Sequence, residues 1–306
     1  MLRTKALRKI FITTLGMFIL VTVFSFPSFD ENNVIRTNFE IEDIAGLATD
    51  SIYLINNNGY LVKTSVFIDS TDIIEKITKI INKLYISNDN GDSNLFGIIP
   101  NNVKINNISY DEQFVTIDFS NEFLDVSDDL KNTMITSIVY SIMELDDVSG
   151  VIILVDGNFI KDYSGVLDKK IGINNSYLFN YRTNISKVVV YYLNDINHDI
   201  YYVPVTKYLN DDREKIKIIV EELTTSYIYD SNLMSFLDSR LKLIDYKEEG
   251  DVLFLNFNDY LYDNSNKILE EVIYCISYSV FDNYDVNMIM FEVNNEMVKQ
   301  ISRNDI

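Results

Sequence analysis

Residues 114–157 occur twice in this chain. Slid by 138 positions they fall on residues 252–295 without a gap, so that Phe119 meets Phe257, Ile135 meets Ile273, Tyr140 meets Tyr278, Ser141 meets Ser279 and Val155 meets Val293. In the first copy Val115, Ile117 and Phe119 alternate with Thr116 and Asp118, the two-residue period of a half-buried strand. Leu253, Leu255 and Phe257 repeat it. Leu130, Met134, Ile138 and Ile142 then keep helical spacing, and Ile268, Val272, Ile276 and Val280 stand at the same places. A short apolar strand follows in each copy, at 151–155 and 289–293. A tandem duplication of a strand–helix–strand unit excludes most single-domain folds.

Either side of this stretch, the same reading extends to a whole domain. Residues 51–56 and 60–67 read as a hairpin about Asn57-Asn58-Gly59, because Asn and Gly tolerate positive φ. Asp72 is a fitting N-cap for a helix with Ile73, Ile77, Ile80, Ile81 and Leu84 on one face. Strands at 104–110 and 113–119, a helix at 127–145 and a strand at 151–155 complete one ββαββαβ copy. The second copy has its hairpin at 187–193 and 200–207, helices at 213–225 and 264–281, and strands at 240–247, 251–257 and 287–293. The expected fold is α+β: two tandem ββαββαβ domains, at 51–157 and 187–296, each a small sheet with two helices packed on one face. Residues 158–186 read as a linker and 297–306 as a frayed tail.

Ahead of the first domain, Arg3, Lys5, Arg8 and Lys9 precede an apolar run at 10–26. Basic residues before such a run mark a signal peptide or membrane anchor, assigned here to residues 1–29, with 30–50 as a tether. These 17 residues span about 26 Å as a helix, slightly short of a hydrocarbon core of about 30 Å. The lack of a clear A-x-A cleavage pattern favours an uncleaved anchor, with the basic end cytoplasmic and both domains outside. The formal net charge is −20, and about −24 without the four N-terminal cations. That argues against nucleic acid as a partner, since phosphates need compensating cations.

Few residues here carry chemistry. Cys275 is the one cysteine, which excludes an intramolecular disulfide; it takes the place of Ser137 on the second helix and reads as a small buried residue. His198, the one histidine, lies in a polar turn. Asp118, Glu122 and Asp125 cluster after a strand, with Asp259 and Asp263 near the matching place. Two carboxylates can cleave a glycosidic bond, but Asp118 aligns with Asn256, and N-capping of the next helix explains them as well. Asp89-Asn90-Gly91-Asp92-Ser93 lacks calcium-loop spacing and reads as a turn. Tyr191, Tyr192, Tyr201, Tyr202, Tyr227 and Tyr229 could stack on sugars if exposed, although strand alternation buries about half of them. No residue is assigned a catalytic, cofactor-binding or metal-binding role.

The segments Gln113–Phe119, Ile138-Val139-Tyr140-Ser141-Ile142 and Ile153-Leu154-Val155-Asp156-Gly157 resemble the "VxVDLS", "IVYTL" and "VxILVDG" elements of the GerMN domain family. Ile99-Pro100 before Val103-Lys104 matches its "IPxGTK" element, and Val203-Pro204-Val205 its "LVPV" strand. The first copy has Val62-Lys63-Thr64 at the latter place; the second has Leu237-Asp238 for Ile-Pro and Asn294-Asn295 for Asp-Gly. The family carries no established catalytic residues. The resemblance implies a non-enzymatic, extracytoplasmic interaction or assembly protein of sporulation or spore germination, with other envelope or spore-channel proteins as partners. A competing expectation is a peptidoglycan-binding or peptidoglycan-acting envelope protein.

Overall fold

Gly59, at φ +82°, closes the first hairpin, in which β1 (Asp50–Asn56) pairs antiparallel with β2 (Leu61–Val66). The computed structural model describes residues 49–86, 92, 94–175, 186–209, 213–225 and 232–306, and Leu47–Ile306 form one compact unit. The apolar run at 10–26, the tether up to residue 48, most of the loop tip at 89–93, and Tyr227 and Tyr229 lie outside the described residues. Helix α1 (Ile73–Lys83) starts where expected, its N-cap Asp72 accepting from the Glu75 amide, and buries Ile77, Ile80 and Ile81. β3 (Leu95–Phe96) then joins the free side of β1. Gly97 is required there, because a Cβ would lie 2.2 Å from the Tyr85 carbonyl oxygen.

The duplicated stretch builds the second half of each repeat. β4 (Ile105–Asp111) and β5 (Phe114–Phe119) form a hairpin, α2 (Asp128–Ile142) crosses over, and β6 (Gly150–Val155) returns parallel to β5. A two-residue strand, β7 (Asn158–Phe159), ends the sheet. Val115, Ile117, Phe119, Val151, Ile153 and Val155 turn into a core shared with Met134, Ile135 and Ile138 of α2. Their neighbours Phe114, Thr116, Ile152 and Leu154 stay partly exposed on the other face. The second repeat follows suit with β8 (Ser186–Ile196), β9 (Asp199–Leu209), α3 (Lys215–Thr224), β10 (Leu243–Glu249), β11 (Val252–Phe257), α4 (Glu270–Asn283) and β12 (Met288–Val293). β12 is again parallel to β11.

The 138-residue spacing runs through the hydrogen bonds as well. Val103 N–H donates to Pro100 O as Leu241 N–H donates to Asp238 O, so Leu237-Asp238 makes the turn of Ile99-Pro100 without its proline. Ile99 and Leu237 are both buried. The β1–β3 pair Ile55–Phe96 returns as a bridge between Leu193 and Met234.

The α+β expectation holds, with differences in detail. Strands of each repeat divide between two sheets: β2-β1-β3 and β4-β5-β6-β7 in the first, β8-β9 and β10-β11-β12 with a tail strand, Glu296–Ser302, in the second. The tail does not fray. β13 (Glu296–Ser302) pairs antiparallel with β12, and an Asp305–Ser302 capping box closes the turn after it. Helix α4 starts six residues later than periodicity suggests, because Asp263 accepts from the Ser265 and Lys267 amides and holds residues 264–267 in a turn.

Candidate functional site: the junction of the two repeats

β1 breaks the alternation of a one-sided strand, since Ile52, Tyr53 and Leu54 are buried in succession. One side meets the small residues Ser137 and Ser141 of α2: Tyr53 N–H donates to Ser141 Oγ at 2.8 Å, and Ser137 Oγ donates to Tyr53 O at 2.7 Å. β8 does the same, with Tyr191 N–H donating to Ser279 Oγ at 2.9 Å. The two strands then meet each other through equivalent residues. Tyr53 and Tyr191 hydroxyls lie 3.4 Å apart, and Asn56 Nδ2 donates to Asn194 Oδ1 at 3.0 Å, both pairs being 138 residues apart. A residue that touches its own counterpart sits on a twofold axis, so the repeats pack as the halves of an isologous dimer do.

Carboxylates flank this axis in matched positions. Tyr53 Oη donates to Glu144 Oε1 at 3.1 Å, and Tyr191 Oη donates to Asp282 Oδ2 at 2.8 Å. Burial pushes both phenols well above their usual range, so they remain neutral donors. The cations, however, are not symmetric. Lys63 stands across from Tyr53 where Pro204 stands across from Tyr191, and its Nζ is 2.8 Å from Glu144 and 5.5 Å from the ring centre of Tyr278. Lys169 lies 2.5 Å from Glu144 and 3.7 Å from Asp282, with Tyr140 beneath it at 5.7 Å. Burial alone raises the Glu144 carboxyl, but Lys169 and Lys63 outweigh it and hold the group at about 2. Burial likewise lowers the Lys169 ammonium, and Asp282 and Glu144 carry it up to about 12.

The described part of the segment between the repeats, residues 158–175, fastens the junction. Asn174 accepts from Leu61 N–H at 2.9 Å and donates through Nδ2 to Leu61 O at 2.7 Å and Pro204 O at 2.8 Å, tying β2 to β9. The Ile173 carbonyl accepts from Thr206 N–H at 2.9 Å, and Ile173 N–H donates to the Thr206 side-chain hydroxyl at 2.9 Å. Ile173 packs with Tyr53, Leu61 and Tyr140 in a small cluster of its own. Asn94 Nδ2 also crosses to the other repeat, reaching Asp199 at 3.0 Å and Tyr201 at 3.1 Å.

The residues singled out in the sequence have structural work elsewhere. Asp118 accepts from Gly157 N–H at 2.9 Å, and Asn256 accepts from Asn295 N–H at 3.0 Å, each holding the turn after the parallel strand. The turn requires positive φ at both central residues, met by Asp156-Gly157 and by Asn294-Asn295. An oxygen acceptor suffices, which explains why the carboxylate was free to become an amide. Asp259 accepts from Asn294 Nδ2 at 2.7 Å; Glu122 is half-buried in a short 3-10 turn at Asn121–Leu124, and Asp125 is exposed after it. Cys275 is fully buried, and burial pushes its thiol up. His198 is exposed in the β8–β9 turn at φ +77°. Tyr191, Tyr192 and Tyr201 are buried, so they offer no face to a sugar. Among the described residues no cluster of His, Cys, Asp and Glu is placed to hold a metal ion. Nothing in the local pattern marks Tyr53, Asn56 or Glu144; the 138-residue slide, extended back to 53 and 56, pairs Tyr53 with Tyr191 and Asn56 with Asn194.

This fold of two tandem α+β repeats is similar to that of known proteins. The family described as "Germane: Sporulation and spore germination" matches residues 51–161 and again 189–299, two spans offset by the same 138 positions. The chain belongs to this family. It is 24% identical over 261 residues to the spore germination protein GerM of Bacillus subtilis (strain 168), covering 79% of this chain and 70% of that one. Its fold is similar to the solved tandem GerMN domains of the sporulation protein GerM from B. subtilis, at a TM-score of 0.75 and 22% identity, over 84% of this chain and 97% of that one.

Proposed function

We propose that this chain is a membrane-tethered, extracytoplasmic interaction protein that serves assembly in the spore envelope and performs no catalysis. The observation that carries this reading is the junction: Tyr53, Tyr191, Asn56 and Asn194 spend their polar groups on each other and on Glu144 and Asp282, locking two lobes into one body. Such a body presents two similar scaffolds with unlike surfaces, which suits contacts with two different neighbours. Membership of a sporulation and spore germination family supports the cellular setting, and the basic-then-apolar N-terminus supports the tether.

The test is cross-linking of the full-length tagged chain in membranes of a spore-forming cell during sporulation. The reading expects discrete cross-links to envelope proteins that vanish when residues 1–29 are deleted. Saturable co-sedimentation with purified peptidoglycan sacculi, beyond that of a charge-matched control protein, would instead assign a glycan ligand.

A further inference from the structure

Each repeat ends on one side in an edge strand, β4 in the first and β10 in the second. They are counterparts down to a shared irregularity, a register shift at Ile105/Asn107 and at Leu243/Asp245. In an antiparallel hairpin closed by the pair Asp111–Phe114, alternate residues turn their N–H and C=O away from the partner; here these are Ile108 and Tyr110, and in β10 Tyr246 and Glu248. Such an edge is a template for another strand unless something blunts it.

β10 is blunted. Asp245 Oδ1 takes the outward Tyr246 N–H at 2.9 Å, Lys217 sits 5.6 Å over the Tyr246 ring, and Lys247 pairs with Glu249. β10 has four charged residues, Asp245, Lys247, Glu248 and Glu249, whereas β4 has only Asp111, at its turn end. Among the described residues no hydrogen bond reaches the outer side of Ile108 or Tyr110. β4 thus offers a strand edge almost free of charge on a chain of net charge −20, where two copies can meet with few like charges opposed.

We infer that β4 is a docking edge for β4 of a second copy of this chain, paired antiparallel about Ser109. That register joins outward groups to outward groups, setting Ile108 against Tyr110 twice on the helix side, Ser109 against Ser109, and Asn107 against Asp111 on the open side. The equivalent pairing of β10 would set Lys247 against Lys247 and Asp245 against Glu249, and like charges directly opposite are destabilising. The β4 pairing is isologous and closes at two copies. A single strand pair is a small interface, so a shared membrane that raises local concentration is the setting for it. This pairing rests on the membrane tether proposed above, which fractionation of the same chain into membranes tests separately.

Disulfide trapping in membranes tests it with the full chain. Ser109 is exposed and Cys275 is buried, so Ser109→Cys adds the one accessible thiol among the described residues. The residue at the centre of the register lies within disulfide reach of its own copy. Mild oxidation should give a covalent homodimer about tenfold more abundant than for Lys247→Cys at the matching place in β10, where Asp245 still stands against Glu249. The double variant Ile108→Pro with Ser109→Cys, which removes an outward N–H, should lose it; circular dichroism checks that it folds. Equal trapping at 109 and 247, no dimer at 109, or a mixed disulfide with a different protein would each overturn pairing with a second copy.

Discussion

The first repeat carries a lysine where the second carries a proline, and that exchange tells more than the many positions where they agree. Tyr53 and Tyr191, Asn56 and Asn194, Ser141 and Ser279 are retained because each contact on or near the axis is made by both halves. Lys63 and Pro204 lie in the second strand of each hairpin, just off the axis, where a change in one half need not be answered in the other. Lys63 meets Glu144, and Lys169 from between the repeats meets both Glu144 and Asp282. Two carboxylates brought inward by symmetry are thus balanced by two cations that symmetry did not supply. Breaking a buried pair from one side leaves an uncompensated charge, so retained carboxylates imply retained lysines.

The sharpest way to break this comparison is in the cores. Phe119→Ala and Phe257→Ala should each lower stability by about 3–5 kcal/mol. Because buried residues of both repeats form one continuous cluster, either variant should shift a single calorimetric transition; two separated transitions would refute the one-body reading. Next in size is the asymmetry at the axis. Glu144→Gln strands two lysines and should cost about 2–3 kcal/mol in urea unfolding, at the lower end because Lys63 and Lys169 remain partly exposed. Asp282→Asn keeps an acceptor for Tyr191, and among the described residues no cation comes closer than 3.7 Å, so its cost should be under about 1 kcal/mol. Equal costs would show that Lys63 contributes nothing.

Acid should sharpen the same contrast. The Glu144 carboxyl is held at about 2 in the folded chain, against about 4.3 in an unfolded one. Its contribution is complete above about pH 4.3 and is lost as pH falls toward about 2. Stability measured across that window should fall less steeply in Glu144→Gln than in the parent. The smallest effect is expected at the β6–β7 turn, where Asp118→Asn reproduces what Asn256 already does and should stay within about 0.5 kcal/mol, while Asp118→Ala removes the acceptor for Gly157 and should cost about 1 kcal/mol.

The sequence read well where burial is one-sided. Val115, Ile117 and Phe119 announce β5 because solvent lies on one face and core on the other, and Asp72 and Asn57-Asn58-Gly59 mark caps and turns through local chemistry alone. It read poorly where the partner is distant in sequence. β13 buries little beyond Ile301, so nothing in its pattern separates an edge strand from a loose end. Asn174 and Lys169 look like ordinary polar residues of a connecting segment, and only the meeting of two repeats gives them partners. The tyrosines read as open to a ligand for the same reason: a strand buried on both faces cannot be told from one buried on a single face until its second neighbour is known.

Fusion also altered what mutation could do at the axis. In a symmetric pair of separate chains every change is made twice, so a lysine acquired beside the shared tyrosines would appear on both sides at once. Joined end to end, the halves can drift singly, and Lys63 opposite Tyr53 with Pro204 opposite Tyr191 is a state open only to a chain that inherited its own partner.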